Sequence, residues 1–230
     1  MLGHGHAIMG AAGFVAVAGP LHLVDTTMVG VPAVVTVGAG ALVAAGAALL
    51  PDLDHRGATV SRALPPITTV LSMLIGAVSG GHRKGTHSLL AVAVVGVLAW
   101  AASLAAVTVD GEVFHPGIAV VSAVIASLGL KALRVGFTPV VSWGLAVGVG
   151  VLVWVSLPAG QVGWFPVAVM VGYAIHLVGD FLTTSGVPAF LPVTGRKVVF
   201  PILGNTGSFR EHLLTLVCAV MLVFMLVTVH

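Results

Sequence analysis

Apolar runs of close to twenty residues recur along almost the whole of this chain, and no long charged segment separates them. A helix of about twenty apolar residues crosses the hydrocarbon core of a bilayer. Only 7% of the 230 residues are Asp, Glu, Lys or Arg, whereas soluble domains carry about 25%. Sixteen such side chains, nine basic and seven acidic, are too few to cover a soluble domain or to build a nucleic-acid surface. The composition excludes both and predicts an all-α integral membrane protein.

The apolar runs define the predicted helices. Six runs approach the length of a transmembrane helix, and they lie at about 7–24, 27–50, 88–109, 139–157, 163–182 and 212–229, with shorter runs at 66–80 and 117–133. The first run lacks a basic segment before it, which favours a retained helix over a cleaved signal peptide. We predict a single polytopic membrane domain over 1–230 with about seven transmembrane helices, one re-entrant or interfacial helix, and a short hairpin-like loop near 188–201.

The positions of the basic residues predict the orientation in the membrane. All nine fall in four connections, which hold Arg56 and Arg62; Arg83 and Lys84; Lys131 and Arg134; and Arg196, Lys197 and Arg210. If segment 66–80 enters the membrane and returns, all four connections lie on one side, which the positive-inside rule makes cytoplasmic. Asp25, Asp110 and Glu112 then lie on the other side. If the segment crosses instead, Arg83 and Lys84 lie opposite the preceding basic loop. Its fifteen residues favour the re-entrant arrangement.

Polar side chains cluster in four places. Ionisable groups within a membrane protein are costly, so such clustering indicates function. Of the 26 acidic, basic and His residues, 12 lie in the stretches 3–6, 51–56, 82–88 and 176–180. On the predicted topology, each stretch lies at the cytoplasmic end of a helix. Four such stretches are not expected to lie on the same side of the membrane by chance.

The spacing within these stretches is typical of a metal site. His176 and Asp180 are four residues apart on a predicted helix, so they share one face, as two ligands of one ion require. Asp52 and Asp54 follow a long helix after a proline, where an irregular backbone can direct both carboxylates to one centre. His82 and His87 flank the start of another helix. Imidazole and carboxylate without thiolate suit zinc, manganese or iron.

Each stretch also has a structural alternative. The pair His176 and Asp180 could form an interhelical hydrogen bond, and residues 52–56 could be a solvated helix end. Residues 82–84 could contact lipid headgroups, and His6 could simply be exposed. The functional reading predicts one or two divalent ions, with zinc first and manganese or iron as alternatives. The predicted metal ligands are His6, Asp54, His55, His82, His87, His176 and Asp180, and the predicted catalytic residues are Asp52 and Arg83.

Three ordered motifs, at 50–55, 81–88 and 172–188, resemble the membrane-bound metal-dependent hydrolase family of the YdjM type, whose bacterial namesake is described as LexA-regulated. Gly5 and His6 near the start, and Glu211 at the opening of the last apolar run, fit the same pattern. The resemblance implies a multi-pass inner-membrane protein with a metal-dependent hydrolase site. Carried over by position, it implies roles for His6, Asp52, Asp54, His55, His82, His87, His176 and Asp180.

The function expected from these observations is hydrolysis of an ester or phosphoester in a membrane lipid or other amphiphilic small molecule, at the cytoplasmic leaflet. His87, His176 and Asp180 are the expected core ligands, Asp52 the general base, and Arg83 a phosphate-binding group. Two alternatives remain open. One is a metal-ion or proton-coupled transporter using the same ligands, and the other is a non-catalytic scaffold stabilised by metal. No nucleic-acid partner is expected, and the sequence does not predict the oligomeric state.

Overall fold

The computed structural model of this chain describes residues 1–21, 33–135, 138–156 and 162–228, and these residues are mostly helical. Asp25 and the parts of the predicted runs at 22–32 and 157–161 lie outside them. The α-helices are α1 (Gly3–Ala18), α2 (Ala33–Ala47), α3 (Ile67–Val78), α4 (Leu89–Ser103), α5 (Pro116–Ala132), α6 (Pro139–Ser156), α7 (Trp164–Phe181) and α8 (Phe209–Thr228). Short 3-10 helices lie at Pro51–Asp54, Thr59–Arg62 and Gly85–His87, and a β-hairpin joins β1 (Val107–Val109) to β2 (Glu112–Phe114).

Three helical stretches of the described residues are long and apolar enough to cross a membrane, namely Val35–Asp54, Trp164–Phe181 and Phe209–Thr228. Helices α3, α4 and α5, and the stretch Pro139–Val155 of α6, are apolar but shorter. The shortest is α3, with 12 residues; at 1.5 Å per residue it is about 18 Å long, against about 30 Å of hydrocarbon. The predicted number of seven crossings is therefore neither confirmed nor excluded by helix length.

Small residues let the helices approach α2, which packs against α1, α5 and α7. A Cβ at Gly46 would lie 1.9 Å from the carbonyl oxygen of Ile125 on α5, and a Cβ at Gly172 on α7 would lie 2.2 Å from the carbonyl oxygen of Ala44. Only glycine fits such backbone contacts, which are typical of helix interfaces in lipid. The glycine-rich composition thus has a direct role in holding α5 and α7 against α2.

Several helix ends meet at the same end of the bundle. The Cβ position of Gly3, at the start of α1, is 3.7 Å from Leu49 just after α2 and 3.8 Å from Ala132 at the end of α5. The backbone N–H of Leu2 donates to Glu211 in the first turn of α8. The candidate site lies at this end.

Helix α3 packs beside this end, against the 3-10 helices that follow α2. The Ser61 hydroxyl donates to the carbonyl oxygen of His55 at 2.7 Å and contacts the Ser72 hydroxyl of α3 at 3.0 Å. A Cβ at Gly76 would lie 2.8 Å from the carbonyl oxygen of Asp54. Segment 66–80, predicted to be re-entrant, therefore lies against the connection that carries Asp54.

The connection between α4 and α5 is a β-hairpin, whereas the connection between α7 and α8 is an irregular loop. In the β-hairpin, Asp110 and Gly111 both have positive φ, 52° and 86°, as a two-residue type I′ turn requires. Near 188–201, where a hairpin-like loop was predicted, Val187 and Val198 form one isolated antiparallel bridge and turns occupy residues 189–193. The predicted loop is present, and the hairpin at 107–114 is an additional element that the apolar runs did not predict.

Candidate metal centre

Five His and Asp side chains converge where the helix ends meet. His6 comes from α1, Asp52 from the 3-10 helix after α2, and His87 from the 3-10 helix before α4. His176 and Asp180 lie one turn apart on α7. All except Asp52 are buried, and the Asp52 side chain is 25% exposed. Within the described part of the chain, two groups are arranged so that they could hold a metal ion: His6, His176 and Asp180; and Asp52, His87 and His176.

Four side-chain atoms surround the centre of the cluster. The Nε2 atoms of His87 and His176 are 3.2 Å apart. Each lies 3.9 Å from Oδ1 of Asp52 and 3.9 Å from Oδ2 of Asp180. Nitrogen and oxygen ligands about 2.0–2.1 Å from a tetrahedral zinc ion lie about 3.3 Å from one another. The distance between the two imidazole nitrogens therefore fits two ligands of a single ion, and a small movement would bring one carboxylate oxygen into place as a third.

The ring orientation of His176 follows from its backbone contact. Its Nδ1 atom is 2.7 Å from the carbonyl oxygen of Ala48, which can only accept a hydrogen bond. Nδ1 therefore carries a hydrogen, which leaves Nε2 as the nitrogen that faces the cluster. A carbonyl at this position is a common way to orient a metal-binding imidazole. Since Nδ1 is occupied, His176 has one nitrogen left and can bind one ion.

His87 is oriented in the same sense by Thr86 and Asp54. The Thr86 hydroxyl donates to Oδ2 of Asp54 at 2.6 Å, and its oxygen lies 3.0 Å from Nδ1 of His87. The only hydrogen of the Thr86 hydroxyl points to the Asp54 carboxylate, so Nδ1 of His87 donates a hydrogen bond to the Thr86 oxygen. Nε2 of His87 is then the nitrogen that faces the cluster. Burial, followed by the nearby His176, lowers the pKa of His87 to about 3, so the imidazole is neutral at physiological pH.

The Nε2 atoms of His87 and His176 therefore face each other at 3.2 Å, where a cation between them could bind both. Oδ2 of Asp180 is buried and lies 3.9 Å from each of these nitrogens. The Arg83 guanidinium, whose Nη2 atom is 3.1 Å from this oxygen, already compensates part of the carboxylate charge. Two imidazole nitrogens and a carboxylate oxygen are a donor set that fits a divalent ion.

The other carboxylate oxygen of Asp180, Oδ1, contacts two nitrogen atoms. Oδ1 lies 2.5 Å from the Met1 amino nitrogen and 3.3 Å from Nε2 of His6. The His6 ring stacks on His176 with 3.9 Å between centroids. A Cβ at Gly179 would lie 3.0 Å from this His6 ring, so glycine beside Asp180 makes room for it. His6 is thus part of the cluster and contacts Asp180 and His176 directly.

Arg83 reaches the cluster from the loop before α4. Its Nη2 atom is 3.1 Å from Oδ2 of Asp180, and its Nε atom is buried with no hydrogen-bond partner among the described residues. The backbone of Arg83 has a φ of 56°, which is unusual for a side chain of this size. The structure therefore places a guanidinium with a free N–H beside the candidate ligands.

Three predicted ligands lie outside both candidate groups. Asp54 uses Oδ1 for Nδ1 of His82, at 2.7 Å, and Oδ2 for Thr86 and the backbone N–H of Arg83. His82 is 40% exposed, and His55 is exposed with its ring 5.0 Å from that of His82. Asp54 supports the loop that carries His87, while His55 and His82 lie on the solvent side of it. Their assignment as ligands stays a prediction.

Sequence reasoning gave no specific role to two supporting residues. The Tyr173 hydroxyl donates to the carbonyl oxygen of Thr86 at 2.6 Å and so ties α7 to the His87 loop. Glu211 is buried and accepts from the backbone N–H groups of Leu2, at 2.6 Å, and Gly207, at 2.9 Å. The acidic residue at the start of an apolar helix is the sequence feature that points to Glu211. The Tyr173 contact has no such feature, because it depends on the conformation of the loop that carries His87.

The fold and the site define a class: a helical membrane protein whose helix ends enclose a His and Asp cluster able to hold a metal ion. A family profile described as YdjM inner membrane protein matches residues 1–230. The chain therefore belongs to the YdjM inner membrane protein family, as its motifs predicted. No curated protein and no solved structure matches this chain.

Proposed function

We propose that this protein is a membrane-embedded, metal-dependent hydrolase that cleaves an ester or phosphoester bond of an amphiphilic substrate at the cytoplasmic leaflet. The observation that carries the proposal is the pair of imidazole Nε2 atoms, of His87 and His176, that face each other at 3.2 Å with Oδ2 of Asp180 3.9 Å from each. Three protein ligands with one open position are typical of catalytic zinc sites, whereas structural sites are closed by four.

His87, His176 and Asp180 are the residues that would hold the ion, and zinc suits their chemistry, with manganese and iron as alternatives. A divalent ion held there supplies a more acidic water and a Lewis acid for the scissile group. The protein's own part is to fix the ligands. Ala48 orients His176 through its carbonyl oxygen, while Thr86 and Asp54 orient His87.

Asp52 is the proposed general base. Its Oδ1 atom lies 3.9 Å from Nε2 of both His87 and His176, and its side chain is 25% exposed. A base must reach the attacking water and then release the proton to solvent. Among the carboxylates of the cluster, Asp52 alone combines this position with exposure, so Oδ1 of Asp52 is assigned as the proton acceptor.

Arg83 is the proposed substrate-binding group. Guanidinium binds phosphate and carboxylate oxygens through several N–H donors at once. The Arg83 side chain is 24% exposed, and its Nε–H has no partner among the described residues. It can therefore bind an anionic oxygen of the substrate while Nη2 remains close to Asp180.

The cytoplasmic position of the site rests on the positive-inside rule. The connections that carry Arg83, Lys131 and Arg196 all lie at the end of the bundle where the site is found, whereas Asp110 and Glu112 occupy the hairpin between the opposite ends of α4 and α5. The family description as an inner membrane protein supports the inner membrane as the location of the protein.

The proposal is tested by hydrolysis assays on the purified protein with ester and phosphoester substrates. Activity should disappear with a chelator and return with zinc, manganese or iron. Asp52→Asn should keep the metal but lower turnover by about 10²–10⁴-fold, because the proton acceptor is lost. Asp110→Asn is the matched control, since Asp110 is exposed in the hairpin turn and Asn tolerates its positive φ. Full activity in Asp52→Asn would rule out the assigned base.

A further inference from the structure

A cavity of about 650 Å³ lies next to the metal centre, between α3 and α4. Its volume is within the range of ligand pockets in proteins, about 300–1,000 Å³. Leu191 and Pro192 of the loop after α7 close one side. The cavity shares a wall with the cluster, because Tyr173 and Thr86 line it and Thr86 contacts both Asp54 and His87.

The cavity is polar at one end and apolar at the other. Ser79, Lys84 and Ser88 line the end near the cluster, while Val94 and Leu98 line the far end along α4. Ten residues of helix separate Ser88 from Leu98, a distance of about 15 Å. Since α4 begins at the site and runs away from it, the apolar end points toward the interior of the bilayer. A lipid in the cytoplasmic leaflet has the same orientation, with its headgroup at the surface.

The cavity is open to the side. Val94 is 48% exposed and Leu98 63%, and the neighbouring Val78, at the end of α3, is 87% exposed. In a membrane this opening faces lipid, so a hydrocarbon chain can enter without crossing water.

The charge at the polar end favours an anionic headgroup. The Lys84 side chain lines the cavity, and within residues 1–21, 33–135, 138–156 and 162–228 no ion pair engages its ammonium group. The preceding residue, Arg83, has a buried Nε–H group that has no hydrogen-bond partner among the described residues. An ammonium group at the membrane surface attracts the phosphate of an anionic lipid.

We propose that this cavity binds an acyl chain of an anionic phospholipid from the cytoplasmic leaflet, with the lipid phosphate at Lys84 and the headgroup linkage directed to the metal centre. This assignment of the substrate class rests on the proposed hydrolase function. The proposal predicts that occupants enter from the bilayer and that a phosphate monoester headgroup is preferred over a zwitterionic one.

The test uses the full chain reconstituted in phosphatidylcholine vesicles that contain either phosphatidic acid or phosphatidylcholine with a photoreactive acyl chain. We expect the phosphatidic acid probe to label the 85–98 segment in preference to α8, whose exposed face serves as the reference for ordinary lipid contact. Lys84→Gln should weaken that preference by about fivefold, the effect of one favourable charge at an anionic surface.

Two alanine variants on α4 separate cavity binding from general lipid contact. Ala91 lines the cavity, whereas Ala93 is exposed and is not among the lining residues. Ala91→Trp should fill the cavity and remove the preferential labelling, and Ala93→Trp should leave it unchanged. Equal labelling of the 85–98 segment and α8, or unchanged labelling in Ala91→Trp, would overturn the proposal.

Metal analysis of the same samples keeps this proposal distinct from the hydrolase function. His176→Ala should lose the metal but keep the preferential labelling, since His176 does not line the cavity. Preferential labelling in a parent protein that binds no metal would support the lipid site and refute the hydrolase function. Metal binding without preferential labelling would refute the lipid site alone.

Discussion

For His87 and His176, one hydrogen bond donated by Nδ1 leaves Nε2 as the nitrogen that faces the cluster. Nδ1 of His176 donates to the backbone carbonyl of Ala48, which no side-chain substitution removes directly. Nδ1 of His87 donates to the Thr86 hydroxyl, which in turn donates to Asp54. The hydrogen bond that orients His87 can therefore be removed by a side-chain substitution, whereas the one that orients His176 cannot.

Replacing Thr86 by Val tests this contact. Val has a similar shape but neither donates to Asp54 nor accepts from His87, so we expect the metal affinity to fall by about 10–100-fold, a typical cost of losing an outer hydrogen bond to a metal ligand. Competition with a chelator of known affinity measures the metal affinity of each variant. Thr108→Val in the exposed strand β1 is the control and should leave the affinity unchanged. An unchanged affinity in Thr86→Val would show that this hydroxyl does not orient His87.

The candidate site was predictable to the extent that residue spacing determined it. His176 and Asp180 lie on one helix, so their common face followed from periodicity alone. The distinction between Asp52 and Asp54 did not, because it depends on the 3-10 geometry after Pro51, which turns Asp52 toward His87 and Asp54 toward His82. The sequence shows both carboxylates but not which of them the loop before α4 engages.

Close backbone contacts with α2 connect the helices that carry the cluster. Gly172 of α7 lies against Ala44 of α2, one turn before the Ala48 carbonyl that orients His176. A change of spacing between α2 and α7 therefore alters the site as well as the packing.

Gly172→Ala should accordingly destabilise the protein. The added Cβ would lie 2.2 Å from the carbonyl oxygen of Ala44, so the two helices must separate, at a cost of about 1–3 kcal/mol. Thermal unfolding in detergent measures the loss as a lower midpoint. Gly144→Ala on α6 is the matched control, because no atom lies within 4 Å of its Cβ position. Equal midpoints for the two variants would mean that α2 and α7 are not held at this distance.

Most helices lie where the apolar runs predicted them, because hydropathy directly reports burial in lipid. The run at 88–109 is an instructive exception: α4 ends at Ser103 and the apolar residues Val107 and Val109 belong to the hairpin. Hydropathy alone does not separate a membrane helix from a short apolar strand. The dipeptide Asp110-Gly111, which is a strong hairpin signal, lies at the turn between the two strands.

A site at the cytoplasmic leaflet requires one orientation of the whole molecule in the membrane. Residues of the basic connections should face the cytoplasm and the hairpin should face the opposite side. Cysteine accessibility tests this in a background that lacks the native Cys218. Glu112→Cys should react with a membrane-impermeant maleimide in intact cells, while Lys131→Cys and Arg196→Cys should react only after lysis. Labelling of Lys131→Cys in intact cells would place the site on the outer face.

Elemental analysis of the purified protein tests whether the His and Asp cluster binds a metal ion. We expect about one equivalent of zinc, manganese or iron in the parent, because His176 has one nitrogen free to bind an ion. The metal should be lost in His176→Ala and retained in His212→Ala, whose side chain is exposed outside the cluster. A folded parent that binds none of these metals after reconstitution, or a His176→Ala variant with undiminished metal, would contradict the account.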